Sequence, residues 1–350
     1  MSLQSLFITG WNSGLQTNKK PFLLPDEAFP ILENAYTWRE RIKKREGLQF
    51  LGRLRRSLTG QALGNTDGSG AFSGNIRAIL SLETNAEIDP GSLEITIGAE
   101  TITDQGNGLL LGNVTAIGTI NYSTMAVSIT GASATLPVTA DLKYFPSLPV
   151  MGILLREIAT INDEQTIWFD TKYAYVWGGG SPTNNFEEFI PGTTWSGTNS
   201  DFFWGYNYRG TNPSDRLLFT TNFVVNAANP IRYTDGTTWT DFAPLISATD
   251  TLYQARVIVA YYGRLVMLNT YEGTTLGGYA GSSNIFNRCR FSQIGSPVTA
   301  DAWRQDQFGK GGFLDAPVNE EIISAMFIKN TLVVTFERST WQLRYVGEYG

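Results

Sequence analysis

After Val150 the sequence falls into pairs of short apolar runs, each pair joined by a few turn-forming residues. Ile167-Trp168-Phe169 and Tyr173-Ala174-Tyr175-Val176 flank Asp170 to Lys172. Arg256 to Ala260 and Leu265 to Leu268 flank Tyr262-Gly263, and Ala325 to Ile328 and Leu332 to Phe336 flank Lys329-Asn330. Such pairs read as β-hairpins that are apolar on both arms. The 36 Gly and the 20 Phe, 15 Tyr and 9 Trp agree with this, because glycine supplies the positive φ of tight turns and aromatic rings fit a pleated surface. With 42% hydrophobic and only 17% charged residues, the chain is expected to order around a core.

Pro191-Gly192-Thr193-Thr194-Trp195 recurs as Asp235-Gly236-Thr237-Thr238-Trp239 at an interval of 44 residues, close to the period of a propeller blade, which is about 40 to 50 residues. The expectation is an all-β chain with a β-propeller-like array of hairpins, a plain β-sandwich being the alternative. Upstream, Leu93 to Ile97, Leu109 to Leu111, Val114 to Ile120 and Ala126 to Ile129 form short alternating runs separated by Asp89-Pro90-Gly91 and Asp104-Gln105-Gly106. They predict a small inserted β-sandwich or barrel. The Gly/Ser-rich stretch from Ser57 to Phe72 reads as a flexible connection before it, and Tyr144 to Pro149 as an exit linker after it. Near the N-terminus, Asp26 as an N-cap with Phe29, Leu32 and Tyr36 at helical spacing predicts a turn or short helix in irregular structure. The division is therefore an N-terminal docking segment over 1–60, an inserted β-domain over 70–145, and a propeller-like domain over 150–350, whole or partial.

With no histidine in the chain, Ser-His-Asp and Cys-His nucleophiles, His-ligated zinc and a histidine pH switch are unavailable. Cys289, the one cysteine, reads as a buried inert thiol. The doublets Asp163/Glu164, Glu187/Glu188 and Glu320/Glu321 read as solvated loop charges, since neighbours on a strand point to opposite faces and do not converge on a glycosidic bond. The Gly-rich pieces at Gly178 to Gly180 and Gly309 to Gly312 lack the helix or the Lys-Ser/Thr of a phosphate loop. Asn65 to Gly70 lacks the acidic positions of a calcium loop. No catalytic residue, metal site or cofactor is expected, and no signal peptide or membrane span is seen.

Charge is segregated. From Trp38 to Arg56 the chain carries Arg39, Arg41, Lys43, Lys44, Arg45, Arg53, Arg55 and Arg56 against Glu40 and Glu46, a local +6 on a chain of net −6, which leaves −12 elsewhere. These eight cations are the candidate contact with a partner or with DNA.

Gly10-Trp11-Asn12-Ser13-Gly14-Leu15, Leu24-Pro25-Asp26-Glu27-Ala28, Asn34 and Lys43-Lys44-Arg45-Glu46-Gly47-Leu48 lie in an order, over about 40 residues, that resembles the N-terminal signature of the nozzle or tail tubular protein B family of short-tailed phages. Muzzle-type tail propeller proteins look similar. Pro90 to Ile95, Asp104 to Gly108 and Gly118 to Thr124 look like a small β-domain recurrent in phage tail proteins, and Asn287 to Ser292 with Trp303 and Leu332 to Trp341 resembles their propeller strands. Thr234 to Trp239 is similar to the Asp-box of sialidase-type propellers, a structural turn with a packing Trp. The resemblance implies a virion structural protein, made in the host cytoplasm and built into the phage tail, that forms part of a ring or nozzle conducting DNA out of the capsid. The implied partners are further copies in a ring, with six as the expected number, the tail adaptor or portal-side ring proteins, and genomic DNA passing without sequence recognition; no membrane is involved. Family nozzles are longer than this chain, which implies part of a propeller, a fragment or a processed product. The alternative function is a carbohydrate-binding or glycan-cleaving tail propeller.

Overall fold

The computed structural model describes residues 14–15, 23–24, 28–29, 35–38, 41–44, 50–158, 163–177, 185–209 and 216–345. The chain divides into two compact units, Met1–Leu51 and Gly52–Gly350. In the first, β1 (Gly14–Leu15) pairs in parallel with β2 (Ala28–Phe29), and β3 (Ala35–Trp38) pairs antiparallel with β4 (Arg41–Lys44), Tyr36 opposite Lys43. Phe29 and Tyr36 therefore lie in strands and not on one helical turn as their spacing predicted. Tyr36-Thr37-Trp38 is a run of aromatic and β-branched residues, which favours the pleated conformation over a helix.

The second unit begins with a β-domain. It contains β5 (Leu54–Asn65), β6 (Phe72–Asn75), the single turn α1 (Ile76–Ile79), β7 (Glu87–Ile88), β8 (Glu94–Ile97), β9 (Glu100–Asp104), β10 (Leu109–Gly112), β11 (Ile117–Asn121), β12 (Ala126–Thr130) and β13 (Pro137–Phe145). The strands run antiparallel in the order β5-β13-β8-β9-β10-β11-β12-β6, with β7 also on β13, in a curled half-barrel sheet. Strict alternation builds it. Ile95, Ile97, Ile102, Leu110, Ile120, Val127, Ile129, Val138, Ala140 and Leu142 all point inward and are buried, and α1 contributes Ile76. The Ser57–Phe72 stretch is not the flexible connection its composition predicted. Its first half is most of the twelve-residue β5, and Asp67 Oδ1 closes the following turn by accepting from the amides of Ser69 and Ala71 at 2.8 and 2.9 Å. Glycines at 60 and 64, with φ of +61° and +131°, bend β5 beside register shifts in its pairing with β13, so they serve the curl of the sheet.

Four antiparallel meanders follow. The first is β14 (Val150–Ile158), β15 (Asp163–Asp170), β16 (Ala174–Trp177) and β17 (Phe186–Glu188). The second is β18 (Trp204–Arg209), β19 (Arg216–Thr221), β20 (Ile231–Thr234) and β21 (Trp239–Phe242). The third is β22 (Asp250–Tyr261), β23 (Arg264–Thr274), β24 (Ser283–Phe291) and β25 (Gly312–Asp315), and the fourth is β26 (Ile322–Ile328), β27 (Thr331–Phe336) and β28 (Thr340–Leu343). The first strands of successive sheets pack side by side, β14 on β18, β18 on β22 and β22 on β26. This is the blade-by-blade packing of a propeller-like all-β fold, as the hairpin pattern predicted. A separate apolar cluster fills each interface: Phe169, Trp195, Phe203 and Trp239 between the first two sheets, Phe219, Phe242, Ile258 and Trp303 between the next two, and Val257, Leu268, Ile322 and Val334 between the last two.

The 44-residue repeat is not a blade repeat. Asp235 to Thr238 form the turn joining β20 to β21, whereas Pro191 to Trp195 follow β17. The two tryptophans instead meet each other, ring centroids 5.3 Å apart and edge to face. The blades are also continuous with the β-domain, because Phe186 and Glu187 of β17 pair in parallel with Leu54 and Arg55 of β5.

Candidate functional site

Of the eight candidate cations, Arg41, Lys43 and Lys44 lie in β4, where Lys43 is exposed, and Arg39 and Arg45 lie outside the described residues. Arg53, Arg55 and Arg56 belong to the other unit, at the start of β5, where that strand is pinned between β13 and β17.

These three arginines meet carboxylates of their own unit. Arg53 donates to Glu87 at 2.7 Å, with its guanidinium 4.0 Å from the centroid of the Phe145 ring. Arg55, on the same side of the strand, bonds Asp89 Oδ2 at 2.5 Å and Glu187 Oε1 from Nε at 3.1 Å. Arg56, pointing the other way, grips Glu188 with two bonds of 2.9 and 3.1 Å, donates to the Tyr144 hydroxyl at 2.7 Å, and lies 3.7 Å above the Tyr173 ring. Burial works against the charge on Arg55 and Arg56, but the bonded carboxylates outweigh it and raise both pKa values. The result is a seam of ion pairs that rivets the β-domain to the first blade.

Behind Arg56 the seam continues as a buried acid cluster. The Tyr173 hydroxyl donates to Glu83 Oε1 at 2.8 Å and Lys172 Nζ lies 3.2 Å from the same atom, while Glu83 Oε2 is buried with no hydrogen-bond partner. Asp170 is fully buried and accepts from the amides of Lys172 and Tyr173 and from the Tyr175 hydroxyl at 2.6 to 2.7 Å. Burial pushes Asp170 up to about 6 despite those bonds, with the Glu83 charge adding to the shift. Burial likewise pushes Tyr144 up to about 12 and raises Tyr173 and Tyr175. Counting Arg53, Arg55, Arg56 and Lys172 against Glu83, Glu87, Asp89, Asp170, Glu187 and Glu188, the seam is net −2 and not a basic patch.

The other features singled out in the sequence are structural. Glu187 and Glu188 are not solvated loop charges: they lie in β17, where Arg55 and Arg56 draw them into ion pairs; Glu320 accepts from the Ser339 hydroxyl at 2.8 Å, and Glu321 holds Arg256 at 2.6 Å and Asn269 at 2.9 Å. Glu164 is exposed, and the side chain of Asp163 lies outside the described residues. Asp235 caps its own turn through Thr237 at 2.6 and 2.9 Å. A Cβ on Gly311 would sit 2.7 Å from the Phe291 carbonyl oxygen and the Trp303 Cα, so the Gly-rich entry to β25 serves close packing. Gly178 to Gly180 lie outside the described residues. Cys289 is buried, which pushes its thiol up to about 12 and leaves it unreactive near neutral pH. Among the described residues no three acidic or cysteine side chains converge as a metal site, and no helix is long and apolar enough to cross a membrane.

Sequence reasoning missed Glu83, Asp170, Tyr144 and Tyr173. The available signal was the matched spacing of two opposite-charge doublets, Arg55-Arg56 and Glu187-Glu188, 132 residues apart. A second buried network was also missed: Glu272 chelates Arg290 at 2.6 and 2.7 Å and takes a bond from Arg288, which in turn holds Asp315 with two bonds of 2.7 Å. In comparisons with family models and with curated proteins, the chain matches none. The fold alone defines its class, an all-β chain with a propeller-like array of sheets.

Proposed function

We propose that the chain is a non-enzymatic structural subunit of a short phage tail. In this reading it forms part of a homo-oligomeric ring or nozzle, six copies being the expected number, that conducts DNA from the capsid without reading its sequence. The observation that carries the reading is the order of parts. A segment resembling the nozzle signature precedes a small β-domain, and an array of up-and-down sheets follows it, in the sequence that the resemblance implies. Charge supports it as well, since an acidic body repels the duplex and keeps it from adhering to the wall. Arg53, Arg55 and Arg56 are committed to carboxylates of their own unit, so contact with the tail adaptor or portal-side ring, or with DNA, falls to Arg39, Arg41, Lys43, Lys44 and Arg45.

Native mass spectrometry and negative-stain imaging of the purified chain test the ring. Closed rings with a central hole are the expected result, and a discrete monomer with a closed cleft overturns the proposal in favour of a glycan-handling propeller. Changing Lys43, Lys44 and Arg45 together to Gln separates the two uses of the basic segment. Loss of ring docking marks a protein contact, loss of DNA transit alone marks a DNA contact, and no change in either removes the segment from the proposal.

A further inference from the structure

From Gln105 to Ala140 the chain has no Asp, Glu, Lys or Arg, a run of 36 residues, while the other 314 carry all 58 charges. That run contains β10, β11 and β12, whose inward residues build the β-domain core. The outward residues form a continuous uncharged face. Thr103, Leu111, Ile117 and Thr130 stand in one cross-strand row, and Leu109, Thr119 and Ser128 in the next. Four large apolar side chains are open to solvent there: Leu109, Leu111, Val114 and Ile117, at 49, 47, 70 and 58% exposure. An alternating strand ordinarily turns charged or polar residues outward, so a face of Leu, Ile and hydroxyl groups marks a surface that is covered in use.

We infer that this outward face of β9 to β12 is the contact with a second copy of this chain, which rests on the homo-oligomeric ring proposed above. The argument is electrostatic. DNA or an anionic membrane gains from cations and a basic partner gains from carboxylates, and this face offers neither. Two copies of a chain with net charge −6 repel at long range, and they meet at lowest cost where no carboxylate faces the neighbour. Ser and Thr hydroxyls both donate and accept, so they pair with whatever uncharged groups the neighbouring copy presents. The exposed Leu and Ile supply the area removed from water.

The test is sedimentation equilibrium of the full chain at about 50 and about 500 mM NaCl, salt concentrations on either side of the range where exposed charges are screened. Self-association is expected to tighten with salt, because salt screens the net repulsion and has no ion pair at this face to weaken. The double variant L111K/I117K should associate about 100-fold more weakly, as like charges are brought together at the contact. Both positions are exposed, so its thermal midpoint should stay with that of the parent; L111T/I117T, neutral and suited to strands, gives a second measure should the lysine variant misfold, with a loss of about tenfold expected. Association that weakens with salt and is unchanged in both variants overturns this inference and leaves the ring, assigning its contact to the basic segment. A parent chain that stays monomeric at both salts overturns the inference and the ring together.

Discussion

Glu100 and Asp104 in the β-domain and Glu272 in the third blade are buried in different ways. In the β-domain, Glu100 accepts from the amides of Thr115 and Ala116 at 2.8 and 2.6 Å, and Asp104 from those of Gly91 and Gly106 and from the Tyr122 hydroxyl, with no arginine at either. In the third blade, Glu272 is held by two arginines, of which Arg290 is 1% exposed. Glu100 and Asp104 sit beside tight turns next to the charge-free stretch that begins at Gln105, and those turns supply backbone donors in place of cations. Glu272 lies on β23 between β22 and β24, where the amides are committed to the ladder, and takes its donors from arginines. The first site therefore depends on turn geometry and the second on matched charges.

The largest expected effect tests the charge-matched side. Glu272→Ala leaves Arg290 buried without its carboxylate and should cost about 3–5 kcal/mol in urea unfolding. A cost under about 1 kcal/mol would mean that the blades do not depend on this pair.

Asp170, where the two regions meet, gives the next effect. Its native pKa of about 6 lies above the unfolded value, so between these pH values the native state holds a proton that the unfolded state has released. The Asp170 contribution to stability is accordingly present at pH 4 and lost as pH rises through 6, a change of about 3 kcal/mol. Asp170→Asn does not titrate, so the stability of the variant relative to the parent should rise by about 2–2.5 kcal/mol from pH 4 to pH 7.5, the rest of the change lying below pH 4. A pH-independent difference would show that Asp170 does not titrate differently on folding.

Glu100→Gln keeps an oxygen for the two amides and removes only the charge, so a loss of about 1–2 kcal/mol in chemical denaturation is expected, smaller than at Glu272. An equal or greater loss would break the distinction between the regions. Leu111→Lys, on the outward face of the β-domain, should shift stability by no more than about 0.5 kcal/mol. A larger loss would place Leu111 in the fold's own packing.

The hairpins at Tyr262-Gly263 and Lys329-Asn330 were legible because turn chemistry is local: Tyr262 and Gly263 have φ of +46° and +71°, as a tight hairpin turn requires. The Gly/Ser-rich stretch misled because the same small residues that loosen a linker also permit the bends of β5 in a curled sheet. The Trp195 and Trp239 motifs misled in another way. Equal spacing in sequence suggested equivalent blade positions, whereas the two rings pack against one another across a blade interface.

What the sequence by itself determined is the all-β class and the hairpins β15–β16, β22–β23 and β26–β27, since alternation and turn residues act between neighbours one or two positions apart. What only the tertiary structure decided is the fate of the charges. Glu87 and Asp89 lie 34 residues, and Glu187 and Glu188 132 residues, from the arginines they bind. A count along the chain assigns Arg53, Arg55 and Arg56 to a basic run, but electrostatic energy depends on separation in space, and the fold returns four carboxylates to those arginines.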